Sequence, residues 1–202
     1  MVLLLIGLGN PGKEYERTRH NIGFRFIDAF LERKSALHAS KPQFKGELKR
    51  EGELLFLKPA TFMNLSGESA SAVASFFKPE KILVVHDDLD LPFGAVRLKF
   101  GGGSGGHNGL KSLDQHLGNG YYRVRIGISK PPQSFSVANY VLANFSDEEE
   151  QLLAKRVIPH GVELLRAFTR EALAEDFAWD RFVSRYSLKS QNPPLEAKKQ
   201  CP

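Results

Sequence analysis

The stretch Val2-Leu3-Leu4-Leu5-Ile6-Gly7-Leu8-Gly9-Asn10-Pro11-Gly12 decides how this chain folds. An unbroken apolar run, Val2 to Ile6, stops at glycine. Such a run fits a strand covered on both faces, as a parallel sheet requires, rather than the alternating strand of a one-sided sheet. Gly7, Gly9 and Gly12 also match the dinucleotide spacing Gly-x-Gly-x-x-Gly. That motif works only if a helix opens directly behind the glycines, because the pyrophosphate rests on its N-terminus. Here Pro11 and the charged stretch Lys13 to His20 intervene, so dinucleotide binding is rejected.

Outward from that strand, apolar runs alternate with helical periodicity. Asn21 is placed to cap a helix over Ile22 to Arg33, with Ile22, Phe26, Ala29 and Phe30 on one face. Phe44 to Arg50 and Glu53 to Leu57 read as a hairpin around Glu51-Gly52, stopped by Lys58-Pro59. Ser66 caps a helix to Phe77 with Ala70, Val73 and Phe77 aligned. Ile82 to Val85 is a short buried run, and Ala95 to Phe100 alternates Val96, Leu98 and Phe100 with Arg97 and Lys99. A glycine-rich loop, Gly101 to Gly106, leads to a helix over Gly109 to Leu117 capped by Asn108, and Tyr122 to Ile128 is a further strand.

Pro131 to Asn144 shows no period and reads as a mobile flap. Ser146-Asp-Glu-Glu149 is a capping box opening a helix to Arg170, with Leu153, Val157, Leu164 and Phe168 inward. Pro159 kinks it, since proline has no N–H and clashes with the carbonyl of Lys155. A last helix spans Glu171 to Tyr186. Residues 188–202 form a polar tail expected to be disordered. The expected architecture is a single α/β domain, 1–187, with a twisted mixed, mainly parallel sheet flanked by helices on both faces.

The 202 residues suffice for one such core. The single cysteine, Cys201, excludes disulfide scaffolding and a cysteine-rich metal site and suggests a reducing, cytoplasmic setting. The N-terminal apolar run lacks a basic flank and is too short for a signal peptide. No stretch reaches membrane-spanning length. Net charge is +5, unevenly spread. Arg97 to Phe135 holds six basic residues and one acid, and Ser146 to Asp180 holds nine acids and four bases. A basic face suits a polyanionic partner; it also suits ordinary solvated Lys and Arg.

In open α/β sheets, ligands bind beyond the carboxyl ends of the strands. Asn10 follows Ile6, Phe62-Met63-Asn64 follows Leu57, and His86-Asp87-Asp88 follows Val85. With His20, these can share one crevice. A free imidazole titrates near ~6.5 and serves as a general base at neutral pH if a carboxylate, for which Asp87 is placed, holds its other N–H. The run His86-Asp87-Asp88-Leu89-Asp90 with His107 also admits a metal-site reading. Gly102-Gly-Ser104-Gly-Gly106 contains Gly-x-Ser-x-Gly between a strand and a helix, so Ser104 admits a nucleophile reading. The only later acids and histidines, such as Asp147 and His160, lie in helical or surface contexts. Asn10, Asn64 and Asn108 are cap-like asparagines whose amides can instead bind a carbonyl, a ribose hydroxyl or an oxyanion; Asn108 reads as a cap, whereas Asn10 and Asn64, in or beside the crevice, read as functional.

Several of these stretches together resemble the bacterial-type peptidyl-tRNA hydrolase family. They are Gly7-Leu-Gly-Asn-Pro-Gly-Lys-Glu-Tyr15, Thr18-Arg-His-Asn-Ile-Gly23, Lys58-Pro-Ala-Thr-Phe-Met-Asn-Leu-Ser-Gly67, Val85-His-Asp-Asp-Leu-Asp-Leu-Pro92, Gly101 to Leu110 and Arg123-Val-Arg-Ile-Gly127. They cover about the first two-thirds of the chain in family order. The resemblance implies a monomeric enzyme with no metal or cofactor, which hydrolyses the ester between a peptide and the 3′-terminal ribose of tRNA. It implies His20 as catalytic base, Asp87 as its support, and Asn10 as the residue that distinguishes blocked from unblocked aminoacyl-tRNA. Tyr15, Phe62, Met63, Asn64 and Asn108 fall at substrate-side positions, and Arg97, Lys99 and Arg125 at phosphate-binding ones. It implies no membrane and no obligate protein partner. Two other readings stay open: a non-catalytic RNA-binding relative, and a serine esterase using Ser104.

Overall fold

The computed structural model describes residues 1–32, 36–174 and 176–190. In chain order these form β1 (Leu3–Gly7), α1 (Ile22–Leu31), β2 (Leu37–His38), β3 (Gly46–Glu51), β4 (Leu54–Pro59), α2 (Ser66–Phe77) and β5 (Lys81–Asp88). Then follow β6 (Val96–Phe100), α3 (Asn108–Leu117), β7 (Tyr122–Gly127), α4 (Val137–Leu142), α5 (Asp147–Leu152), α6 (Ile158–Glu171) and α7 (Trp179–Tyr186). One sheet carries the order β2-β3-β4-β1-β5-β7-β6. It is mixed: β4-β1, β1-β5 and β5-β7 run parallel at its centre, and β2-β3, β3-β4 and β7-β6 run antiparallel toward its edges.

β1 occupies the middle, which explains its unbroken apolar run. Leu3 and Leu5 enter a core shared with α1, α6 and α7; Leu4 and Ile6 enter a second core shared with α2 and α3. Both pairs are fully buried, each side chain contributing about 1.5–3 kcal/mol of transfer free energy. At the end of β1 the backbone of α1 comes close. A Cβ on Gly7 would strike Gly23 O, and one on Gly23 would strike Val85 O and the Leu8 backbone. This approach, open only to glycine, sets the start of α1 against the carboxyl ends of β1 and β5.

Several sequence expectations change. α1 ends at Leu31, and Arg33 lies outside the described residues. Asn21 does not cap α1, and Ser66 is the first residue of α2 rather than its cap. The hairpin turns on Gly52-Glu53, with Gly52 at φ 58°. β4 continues through Lys58 and Pro59, which pairs with Gly46. β5 runs on to Asp88, so His86, Asp87 and Asp88 are strand residues paired with β7, not a loop beyond it.

The stretch 131–144 is no featureless flap. Ser136 caps α4, and the Tyr140 hydroxyl donates to Ile128 O at 2.6 Å. The Ser146 capping box forms as expected. Pro159 neither breaks the helix nor leaves it regular. A π-helical turn, Leu153–Val157, precedes it, with Ile158 N–H bonded to Leu153 O, and this wider turn seats the proline near the start of α6. α7 starts at Trp179, not Glu171, because Phe177 and Trp179 turn in to join Phe168, Phe182 and Tyr122 in an aromatic cluster. Leu188, expected in the tail, exchanges two backbone hydrogen bonds of 2.9 Å with Val96 on β6. The rest of the expected disorder, residues 191–202, lies outside the described residues. No helix among the described residues is long and apolar enough to cross a membrane.

Candidate active site

Asn10 follows β1 directly, and its position is set by two amide latches. Asn21 Oδ1 accepts from Asn10 N–H at 2.9 Å, and Asn21 Nδ2 donates to Asn10 O at 2.8 Å. Asn10 Oδ1 in turn accepts from Met63 N–H at 2.8 Å. One asparagine side chain thus substitutes for a strand partner across eleven residues of sequence, and a second joins that loop to the turn after β4. Asn10 Nδ2 has no partner among the described residues.

His20 sits in a single 3₁₀ turn, Arg19–Asn21, wedged between this latch and β5. It is buried, and its Nδ1 lies 2.8 Å from Asp87 Oδ1. Burial alone would raise the Asp87 carboxyl pKa, but the imidazoles of His20 and His107, both directed at its Oδ1, hold it far below the usual carboxylate range. Asp87 is therefore ionised and can only accept. His20 Nδ1 must carry the proton, and the lone pair of the neutral ring lies on Nε2.

A second histidine meets the same oxygen. His107 Nε2 lies 2.9 Å from Asp87 Oδ1, and the two imidazole centroids are 4.8 Å apart. His107, not Asn108, caps α3: its Nδ1 accepts from the N–H groups of Gly109 and Leu110 at 3.1 and 3.3 Å. The helix fixes the tautomer, so His107 is a neutral Nε2–H donor to Asp87. His86, fully buried on β5, donates from Nδ1 to Asp87 O at 2.7 Å, while its Nε2 has no partner among the described residues. Desolvation by burial pushes the His86 pKa down to about 3.

The metal reading of the sequence does not assemble. Asp88 pairs with Arg125 at 2.7 Å, Asp90 with Lys130 at 3.1 Å, and His86 turns to a carbonyl. Three groups do converge, His20, Asp87 and His107, with one ligand atom each inside 4.8 Å. Ligands around tetrahedral zinc at about 2.0–2.2 Å stand roughly 3.3 Å apart. The 2.8 and 2.9 Å separations here are those of shared protons.

The other expected residues fall around this cluster. Met63 is buried and works through its backbone, whereas Phe62 and Asn64 on either side of it are exposed. Asn108 is exposed beside His107, and Tyr15 is half-buried in the turn Lys13–Tyr15. Arg97, Lys99 and Arg125 share one face of the β6–β7 pair, with Arg97 opposite Arg125. Lys99 is exposed. Arg125 uses Nε for Asp88 and keeps its terminal nitrogens free of partners among the described residues. Arg97 donates to Leu188 O at 2.6 Å. Ser104 has no histidine or carboxylate on its hydroxyl among the described residues; its carbonyl accepts from His107 N–H. The glycine loop is held instead by buried Arg123, which donates to Gly102 O and Gly103 O at 2.6 and 2.8 Å.

The fold has known counterparts. The family model of peptidyl-tRNA hydrolase matches residues 4–189. The chain belongs to the peptidyl-tRNA hydrolase family. It is a hydrolase by that membership. The peptidyl-tRNA hydrolase of Wolinella succinogenes is 67% identical over 192 residues, covering 95% of this chain and 98% of that one. That of Sulfurovum sp. is 54% identical, covering 93% and 96%. The crystal structure of the Acinetobacter baumannii peptidyl-tRNA hydrolase superposes with a TM-score of 0.80 at 34% identity, covering 92% of this chain and 96% of that one. The match extends over α4 to α7, the C-terminal third in which the sequence motifs are sparse.

Proposed function

We propose that this protein frees tRNA by hydrolysing the ester between a peptide, or an N-blocked aminoacyl group, and the 3′-terminal ribose, with water as the nucleophile. His20 Nε2 takes a proton from that water as its oxygen attacks the ester carbonyl. Asp87, ionised and fixed against Nδ1, stabilises the resulting imidazolium, which then returns the proton to the departing 3′-oxygen. His107 is a positioning donor that keeps Asp87 Oδ1 aimed at His20. Asn10 Nδ2, with Asn64 and Asn108 beside it, supplies donors for the substrate carbonyl and the developing oxyanion, each worth roughly 10²–10³ in rate. Lys99, Arg125 and Arg97 provide phosphate contacts, which carry affinity without base specificity and suit an enzyme that accepts many tRNAs. The same reading takes the protein to be cytoplasmic and to act as a monomer.

One observation carries this reading: the 2.8 Å contact between His20 Nδ1 and an ionised Asp87, with Asn10 latched alongside. Steady-state hydrolysis of N-blocked aminoacyl-tRNA tests it. Wild type and Ser104→Ala turn over alike, and His20→Ala loses about 10²–10⁴-fold in kcat. Full activity in His20→Ala would refute the base assignment. Tight RNA binding by a wild type without turnover would favour an RNA-binding relative.

A further inference from the structure

Arg19 is almost fully buried, at 8% exposure, directly before His20. Its guanidinium donates to Ala143 O and Asn144 O, at 3.3 and 2.5 Å, and to Glu149 Oε2 at 2.7 Å. It lies 4.4 Å above the Tyr140 ring and 5.2 Å from that of Phe145. Its backbone N–H bonds Ala143 O at 3.0 Å, and Thr18 bridges to Asn144. The same Glu149 oxygen accepts from Ser146 N–H at 2.8 Å, closing the cap of α5. The turn that carries His20 is thus pinned on both flanks, to Asn10 by Asn21 and to the α4–α5 junction by Arg19.

Burying an arginine in this way is poor economy for stability alone. Its Nε is buried without a partner among the described residues. A buried ion pair is often matched or bettered by apolar side chains of similar volume, so its benefit lies in fixing one geometry. A second pair offers a comparison: Arg25 on α1 forks onto Glu150 on α5 at 3.0 and 2.7 Å, docking the same helix with no side-chain hydrogen bond to the His20 turn among the described residues.

We infer that Arg19 is a positioning residue, which sets the His20 ring against Asp87 by clamping the Arg19–Asn21 turn to the α4–α5 junction. The inference rests on His20 being the base. It makes the segment 136–149 part of the catalytic scaffold, although none of its side chains hydrogen-bonds His20 or Asp87 among the described residues.

The test measures kcat, KM, the pH dependence of kcat and the melting temperature of the full chain on N-blocked aminoacyl-tRNA. Arg19→Met/Glu149→Gln removes both charges while leaving glutamine an oxygen for the α5 cap. The expected result is a kcat lowered about tenfold to a hundredfold, because small misplacements of a catalytic group cost that much. KM should stay within about threefold, and the acid limb of the kcat profile should move as His20 loses its fixed partner. Arg25→Met/Glu150→Gln should keep the wild-type kcat and profile whatever it does to the melting temperature. Wild-type kcat and profile in Arg19→Met/Glu149→Gln would overturn the inference, as would an equal kcat loss in Arg25→Met/Glu150→Gln. His20→Ala in the same assay separates the two levels. If it is inactive while Arg19→Met/Glu149→Gln is normal, only the role of Arg19 fails; if it is fully active, the base assignment itself fails.

Discussion

His20 and His107 place a ring nitrogen on the same oxygen of Asp87, at 2.8 and 2.9 Å, yet they are not equivalent. His107 spends its other nitrogen on the N-terminus of α3, so both of its valences are occupied by structure. His20 has no partner on Nε2 among the described residues. The nitrogen that faces away from the carboxylate, not the one that faces it, decides which imidazole can take a proton from water. A histidine at a helix start is useful here because the helix N–H groups occupy its Nδ1 and leave Nε2–H as the donor to Asp87.

The comparison can be broken at the shared oxygen first. Asp87→Asn should lower kcat about 10²–10⁴-fold, because an amide can present the wrong group to Nδ1 and cannot stabilise an imidazolium. RNA affinity, measured by binding to deacylated tRNA, should change little; equal losses in turnover and affinity would remove the orienting role. His107→Ala should cost less, on the order of tenfold, since one hydrogen bond to Asp87 and the α3 cap are lost while the base remains. A kcat as low as that of His20→Ala would mean that the two rings share the proton chemistry.

The smallest effect concerns stability in acid. Asp87 titrates far below an ordinary carboxylate, so its contribution is present above the unfolded pKa near ~3.9 and is lost as pH falls below it. His86 is held neutral, with a pKa of about 3. The unfolded chain takes up that proton near ~6.5, so stability falls between the two values, by at most about 1.4 kcal/mol per pH unit. Chemical denaturation of His86→Asn from pH 7 to pH 4 should show a flatter decline than wild type. An unchanged slope would place the acid sensitivity elsewhere.

What could be read from the sequence was whatever short-range pattern records. The two-faced burial of β1, the inward stripe of Leu153, Val157, Leu164 and Phe168, and the capping box at Ser146 all follow from spacing alone. The helix-flanked mixed sheet and the gathering of Asn10, His20 and Asp87 at the carboxyl ends of β1 and β5 followed from alternation of elements, whereas the strand order did not. Asn21 was misread because asparagine before a helix usually caps it, whereas here its amide matches the donor and acceptor of a backbone eleven residues earlier. His107 was missed as a cap because imidazole seldom serves as one; its place between a glycine loop and a helix was the available signal. The engagement of Arg97 by Leu188 joins positions 91 apart, and no local pattern encodes it. The π-turn before Pro159 is likewise a tertiary compromise, made so that one helix can keep its stripe inward past a proline.

Leu188 has a consequence for how the molecule behaves in a crowded solution. β6 is the last strand of the sheet, and Val96 would offer its N–H and C=O to any passing chain. Leu188 occupies both groups and Arg97 covers the adjoining carbonyl. The short segment after α7 therefore seals a sheet edge against self-association, as proteins with open sheets commonly must. A chain shortened to Ser187 should expose a sticky border and aggregate more readily, even with every catalytic group in place.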